Sequence, residues 1–139
     1  MFPKTCKILV VDDDPVSRRN MQSVLKEIGY TNVETVDGAP LALSKLQESN
    51  RGGSRAQYEL VISDWNMPSM TGLELLSSVR QNKDTMNLPF IMMTTEDTKQ
   101  NIFQAVKAGV SSFAAKPVTA AVFRMKIDAA YVKHFSKAS

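Results

Sequence analysis

A chain of 139 residues with 43% hydrophobic and 22% charged residues, 6 Gly and 6 Pro is long enough to bury a core and too apolar for a disordered segment. The net charge of +3 comes from 17 basic residues set against 14 acidic ones, and apart from Arg18-Arg19, which reads as part of a solvated helix face, the basic residues are scattered; this argues against nucleic-acid binding. Cys6 is alone, no signal-like opening is present and no apolar run approaches the roughly 20 residues of a membrane span, so the chain reads as a cytoplasmic protein without disulfides or membrane insertion.

Lys7 to Val11 is a continuous aliphatic run, predicting a strand buried on both faces. Asp12-Asp13-Asp14-Pro15 follows, with Asp14 placed to cap a helix whose first position is Pro15 and whose inner face carries Met21, Val24, Leu25 and Ile28; Gly29 ends it. The same unit recurs as a strand over Asn32 to Val36 and a helix over Pro40 to Glu48, with Leu43 and Leu46 inward. A third strand, Glu59 to Ser63, leads through Asp64-Trp65-Asn66-Met67-Pro68 to a helix over Gly72 to Gln81. A fourth strand, Pro89 to Thr94, precedes a helix from about Asp97 to Ala108, and a fifth, Ser112 to Ala115, ends at Lys116-Pro117 before a helix from about Thr119 to Phe135. Residues 49–57 are polar and glycine-bearing, which predicts a surface loop; it enters the third strand and so lies away from the strand C-termini.

Five strands alternating with helices imply right-handed crossovers and a doubly wound α/β fold, an open parallel sheet with helices on both faces. Ligands bind such sheets beyond the strand C-termini. The residues predicted there are Asp12 and Asp13, Asp64, Thr94 and Lys116. Three carboxylates drawn together repel by roughly 4 kcal/mol per pair at about 4 Å, and one lysine is too little to balance them. A hard divalent cation with oxygen ligands restores the balance, and Mg²⁺ is the natural choice because it takes one or two carboxylates together with phosphate oxygens. Given the metal, one carboxylate can attack phosphorus, while Lys116 and Thr94 take phosphoryl oxygens.

Val10-Val11-Asp12-Asp13, Ile62-Ser63-Asp64-Trp65-Asn66-Met67-Pro68, Gly72-Leu73-Glu74-Leu75-Leu76, Met93-Thr94 and Lys116-Pro117, in that order, make the chain resemble the response-regulator receiver family over nearly its whole length, most closely its chemotaxis regulators. The resemblance implies a flavodoxin-like five-stranded sheet in the order 2-1-3-4-5 and one receiver domain over residues 1–139; only Ser136 to Ser139 follow the fifth helix, so no output domain is expected. It implies Asp64 as phosphoacceptor, Asp12, Asp13, Asp64 and the Asn66 backbone carbonyl around Mg²⁺, and Thr94 and Lys116 on the phosphoryl group. Asn66 and Glu96 occupy the positions that tune dephosphorylation in the family, which implies a short-lived phosphoryl group. Phe113 stands where the chemotaxis members carry a switch tyrosine.

A histidine kinase is the implied phosphodonor, with a downstream protein, a flagellar motor switch in the chemotaxis reading, on the face made by the fourth helix, fifth strand and fifth helix; a phosphatase is a further implied partner. Ile102, Val106, Phe113 and Phe123 are candidates for that face. The protein would catalyse its own phosphorylation and dephosphorylation while serving as a switch. A phosphorelay or phosphate-sink role is an alternative. Another is a phosphohydrolase of the haloacid-dehalogenase type with Asp12 as nucleophile, since Asp12-Asp13-Asp14-Pro15-Val16 fits its short motif; the distal acidic pair such enzymes need is missing between Lys116 and Ser139. A third is a non-catalytic interaction domain.

Overall fold

A computed structural model describes residues 2–51, 57–95 and 98–135. In chain order the elements are β1 (Ile8–Val11), α1 (Pro15–Ile28), β2 (Val33–Val36), α2 (Ala39–Ser49), β3 (Leu60–Asp64), α3 (Gly72–Gln81), β4 (Phe90–Thr94), α4 (Lys99–Lys107), β5 (Ser112–Ala115) and α5 (Ala120–Phe135). The strands form one parallel sheet in the order β2-β1-β3-β4-β5. The chain leaves β1 for β2 on one side and returns to β3 on the other, so strand order reverses at β1 and β3, and a crevice opens beyond their C-terminal ends.

Alternation along each strand separates two cores. Ile8 and Val10, Leu60 and Ile62, and Ile91 and Met93 face α1 and α5, where they meet Met21, Leu25, Phe123 and Ile127. Leu9 and Val11, Val61, and Phe90 and Met92 face the other way, onto Leu46 of α2 and Leu75, Leu76 and Val79 of α3. Burying each such large aliphatic or aromatic side chain contributes roughly 1.5–3 kcal/mol, so the central strands are held from both sides. Phe123 has no exposed surface and belongs to the first core, so it is not part of an output face. Its positions i, i+4 and i+7 partners, Ile127 and Ala130, show why: they are the inner stripe of α5.

The helix ends follow local chemistry. Asp14 Oδ1 accepts the Val16 N–H at 3.2 Å, Pro15 fills the first turn, and Gly29 at φ 116° closes α1 in the left-handed conformation. The α3 start is a capping box between Thr71 and Glu74. The fourth helix begins later than the sequence suggested, at Lys99, because Thr98 stays extended and its hydroxyl accepts the Asn101 N–H at 3.2 Å. Of the loop predicted over 49–57, Ser49 still belongs to α2 and residues 52–56 lie outside the described residues. Its flanks meet in a clasp: buried Asn50 accepts the Tyr58 N–H at 2.9 Å and donates its amide to the Tyr58 carbonyl at 3.1 Å. At the same pole of the sheet, Arg80 donates to the carbonyls of Gly109 and Leu88 at 2.9 and 2.6 Å and ties α3 to the approaches to β4 and β5. Among the described residues no helix is long and apolar enough to cross a membrane.

At the other pole, α3 starts hard against the end of β3. The Gly72 N–H donates to the Trp65 carbonyl at 2.8 Å, and a Cβ at position 72 would stand 2.2 Å from the Asp64 carbonyl oxygen and 2.9 Å from Met92 Sδ. Gly72→Ala is therefore expected to displace the Asp64 backbone and to cost about 2–3 kcal/mol, lowering the melting temperature by roughly 8 °C. Gly38→Ala, whose Cβ would meet only Pro40 Cδ at 3.8 Å, serves as the control. Thermal denaturation of the two variants side by side checks this, and equal melting temperatures would contradict the close approach.

Candidate functional site

Strand register decides which polar side chains meet. Val11 pairs with Ser63, so the next residues, Asp12 and Asp64, come side by side at the rim; Asp64 pairs with Met93 and Thr94 with Ala115, which sets Thr94 and Lys116 at the same level. One carboxylate oxygen from each of Asp12, Asp13 and Asp64 lies within 4.8 Å of the others. Asp12 is fully buried, Asp64 is 9% exposed and Asp13 is open to solvent. The Lys116 ammonium reaches between the first two, 2.8 Å from Asp12 Oδ2 and 3.1 Å from Asp64 Oδ1. Thr94 is buried at the end of β4, and its carbonyl accepts the Lys116 N–H at 2.7 Å. Asn66 is exposed in the loop that leaves Asp64. Glu96 lies outside the described residues.

Electrostatics mark this rim as short of positive charge. Burial pushes the Asp64 carboxyl above its ordinary range; the Lys116 ammonium works against that, and the charges of Asp12 and Asp13 reinforce it. For Lys116, burial alone would weaken the ammonium, but the hydrogen bond to Asp12 and the charge of Asp64 prevail and its pKa is raised. One protonated lysine thus pairs with two of the three carboxylates, Asp12 and Asp64. The oxygens of all three are the hard donors Mg²⁺ prefers, and the residues present fit such an ion in number, charge and proximity.

Two neighbours of Asp12 escaped the sequence reading. Ser17, one turn into α1, donates its hydroxyl to Asp12 Oδ2 at 2.6 Å. Arg18 Nη1 donates to the Asp12 carbonyl at 2.7 Å, so this arginine is half-buried against the rim rather than part of a solvated face with exposed Arg19. The available signal was spacing: the first turn after a cap at Asp14 folds back over the end of β1. A third contact joins Trp65, directly after Asp64, to the half-buried Phe113 of β5, edge to face at 6.1 Å between ring centroids. Ile102 and Val106 of α4 are exposed, as a surface role requires.

Comparison with known proteins converges on the same arrangement. The family described as the response regulator receiver domain matches residues 8–128. The chain is 35% identical over 125 residues to chemotaxis protein CheY-3 of Vibrio cholerae, covering 90% of this chain and 91% of that protein. It is 38% identical over 122 residues to chemotaxis protein CheY of Pseudomonas aeruginosa, covering 88% and 93%. The crystal structure of chemotaxis protein CheY4 of Vibrio cholerae is similar with a TM-score of 0.78 at 30% identity, over 89% of this chain and 97% of that one. A family match running from the first residue of β1 into α5 takes in every strand and the whole acidic rim, and on that ground the chain belongs to the response regulator receiver domain family, as a CheY-like member.

Proposed function

We propose that the chain acts as a response-regulator receiver domain, which accepts a phosphoryl group on Asp64 from a histidine kinase and thereby changes its affinity for a downstream protein. The observation that carries this reading is the meeting of Asp12, Asp13 and Asp64 within 4.8 Å around a single ammonium. Asp12, Asp13 and Asp64, with the Asn66 carbonyl, would hold Mg²⁺, which when bound neutralises charge on the transferring phosphoryl oxygens. An Asp64 carboxylate oxygen forms the new O–P bond as the P–N bond to the donor imidazole breaks, and the imidazole nitrogen leaves with the electron pair and takes up a proton. Lys116 already touches Asp64 and turns its ammonium to one phosphoryl oxygen; the Thr94 hydroxyl takes another. Asn66 and Glu96 tune the return hydrolysis, giving the switch a short memory.

Phosphorylation adds about −1.5 to −2 charge and draws Thr94 toward Asp64. Phe113 follows into the space behind Thr94, loosening its contact with Trp65 and altering the face of α4, β5 and α5, where Ile102, Val106 and Met125 are exposed. The chemotaxis names carried by the similar proteins support a place in chemotaxis, with a flagellar motor switch as target and a phosphatase to reset the signal. The cytoplasm is the compartment where such partners meet.

Incubation with a small acyl phosphate and Mg²⁺ is expected to leave an acid-labile, hydroxylamine-sensitive phosphate on Asp64, abolished by Asp64→Asn and by chelation of the metal. Label on Asp12 would instead mark a haloacid-dehalogenase-like hydrolase, and no label an inert interaction domain. Stability gives an independent check. A carboxyl whose pKa is raised by folding supports the fold when protonated; that contribution is complete below the ordinary carboxylate range and is lost as pH rises through the raised value. At neutral pH the ionised Asp64 thus works against the cation-free fold, so Asp64→Asn should melt a few degrees higher in chelator, with the gap closing as pH falls. Calorimetry showing no gain at neutral pH would refute this. Finally, Thr94→Ala should capture the same proteins in a pull-down with or without beryllofluoride, whereas the natural chain should discriminate; discrimination retained in the variant would sink the Thr94 route.

A further inference from the structure

We propose that Ser17 is a positioning residue, its hydroxyl selecting which oxygen of Asp12 faces the divalent cation and holding that orientation when Lys116 moves to the phosphoryl group. The inference rests on the reading of Asp12, Asp13 and Asp64 as a cation site.

Every contact of the Asp12 carboxylate bears on this. Oδ1 accepts the Asp14 N–H at 2.9 Å, while Oδ2 accepts both the Ser17 hydroxyl at 2.6 Å and the Lys116 ammonium at 2.8 Å. An ionised carboxylate offers about two lone pairs on each oxygen. Oδ2 is therefore saturated, and Oδ1 is the oxygen with a lone pair to spare. The terminal torsion of an aspartate is broad and two-fold, so donors rather than the side chain's own preference decide which oxygen points where. The Ser17 bond falls in the short range of hydroxyl-to-carboxylate hydrogen bonds, roughly twice as strong as neutral ones. The main chain is fixed separately, by Arg18 on the Asp12 carbonyl at 2.7 Å.

Lys116 divides its ammonium between Asp12 and Asp64, and phosphoryl transfer to Asp64 calls it away from Asp12. Ser17 is then the donor left on Oδ2. As a neutral group it orients the carboxylate without cancelling its charge, which a second lysine or an arginine in the same place would do. The Ser17 hydroxyl thus preserves the attraction for the cation in both states of the cycle.

The test is a calorimetric titration of the full chain with Mg²⁺ alone, at a temperature where circular dichroism shows each variant folded. Ser17→Ala is expected to raise Kd about tenfold, the lower end of what loss of a group supporting a metal ligand does, and Ser17→Thr, which restores a hydroxyl, to stay within about threefold of the natural chain. Should the alanine variant not fold, Ser17→Cys, which keeps the volume but offers only a weak donor, is expected to show the same weakening. An unchanged Kd in the alanine or cysteine variant overturns the proposal, as does a threonine variant as weak as alanine, because a packing role alone would follow size and not the hydroxyl. If the natural chain itself takes up no Mg²⁺, the cation-site reading fails and carries this inference with it; loss confined to the Ser17 variants leaves that reading standing and supports the role of the hydroxyl.

Discussion

Mutual repulsion among Asp12, Asp13 and Asp64 is the constraint around which the rest of the molecule is arranged. Three acidic side chains share a space a few ångströms across, and the ammonium of Lys116 answers only part of their charge. A fold left to itself would turn such groups outward. Here Asp12 cannot turn, because three hydrogen-bond donors hold its carboxylate and Arg18 holds its carbonyl. The strain of holding like charges together is the reserve from which, on the proposed reading, affinity for a cation would be drawn.

The sheet supplies the rigidity for this. β1 and β3 are paired with each other and buried on both faces, so the carboxylates at their ends inherit a spacing set by the hydrogen-bond ladder rather than by loop conformation. Asp13 stands one residue further out, where solvent reaches it, and gives the site its open side. Trp65 continues the ladder by donating its N–H to the Met93 carbonyl at 2.9 Å before the chain turns back at Gly72, so the segment after Asp64 is pinned at both ends. The two edge strands, β2 and β5, are less buried than the strands between them.

Much of this was legible in the sequence. Alternating aliphatic strands and capped amphipathic helices placed all ten elements, and the bounds of α3 and β5 agree with the expectation because Gly72, Gln81, Ser112 and Ala115 each sit at a sharp change of pattern. The rim residues were legible for the same reason: in a parallel sheet the strand C-termini share one edge, whatever their separation along the chain. Tertiary contacts were harder to see. Phe123 looks in sequence like any other aromatic on α5, and only the packing of that helix against β4 and β5 turns it inward. Ser17 and Arg18 look like an ordinary polar first turn until the helix is seen folding over Asp12. The start of α4 falls after Thr98, whose hydroxyl takes the Asn101 N–H, a boundary of one or two residues that local propensity does not resolve.

The clasp between Asn50 and Tyr58 has a bearing on how such a chain can change over time. The Asn50 amide does for Tyr58 what an adjoining strand does, meeting one donor and one acceptor, and so fixes where β3 begins without reference to the peptide between them. Closing a loop costs only about 0.6 kcal/mol more for each doubling of its length. This pole of the molecule is thus a place where residues can be inserted, lost or recruited for new contacts while the acidic rim, a full strand length away, keeps its geometry.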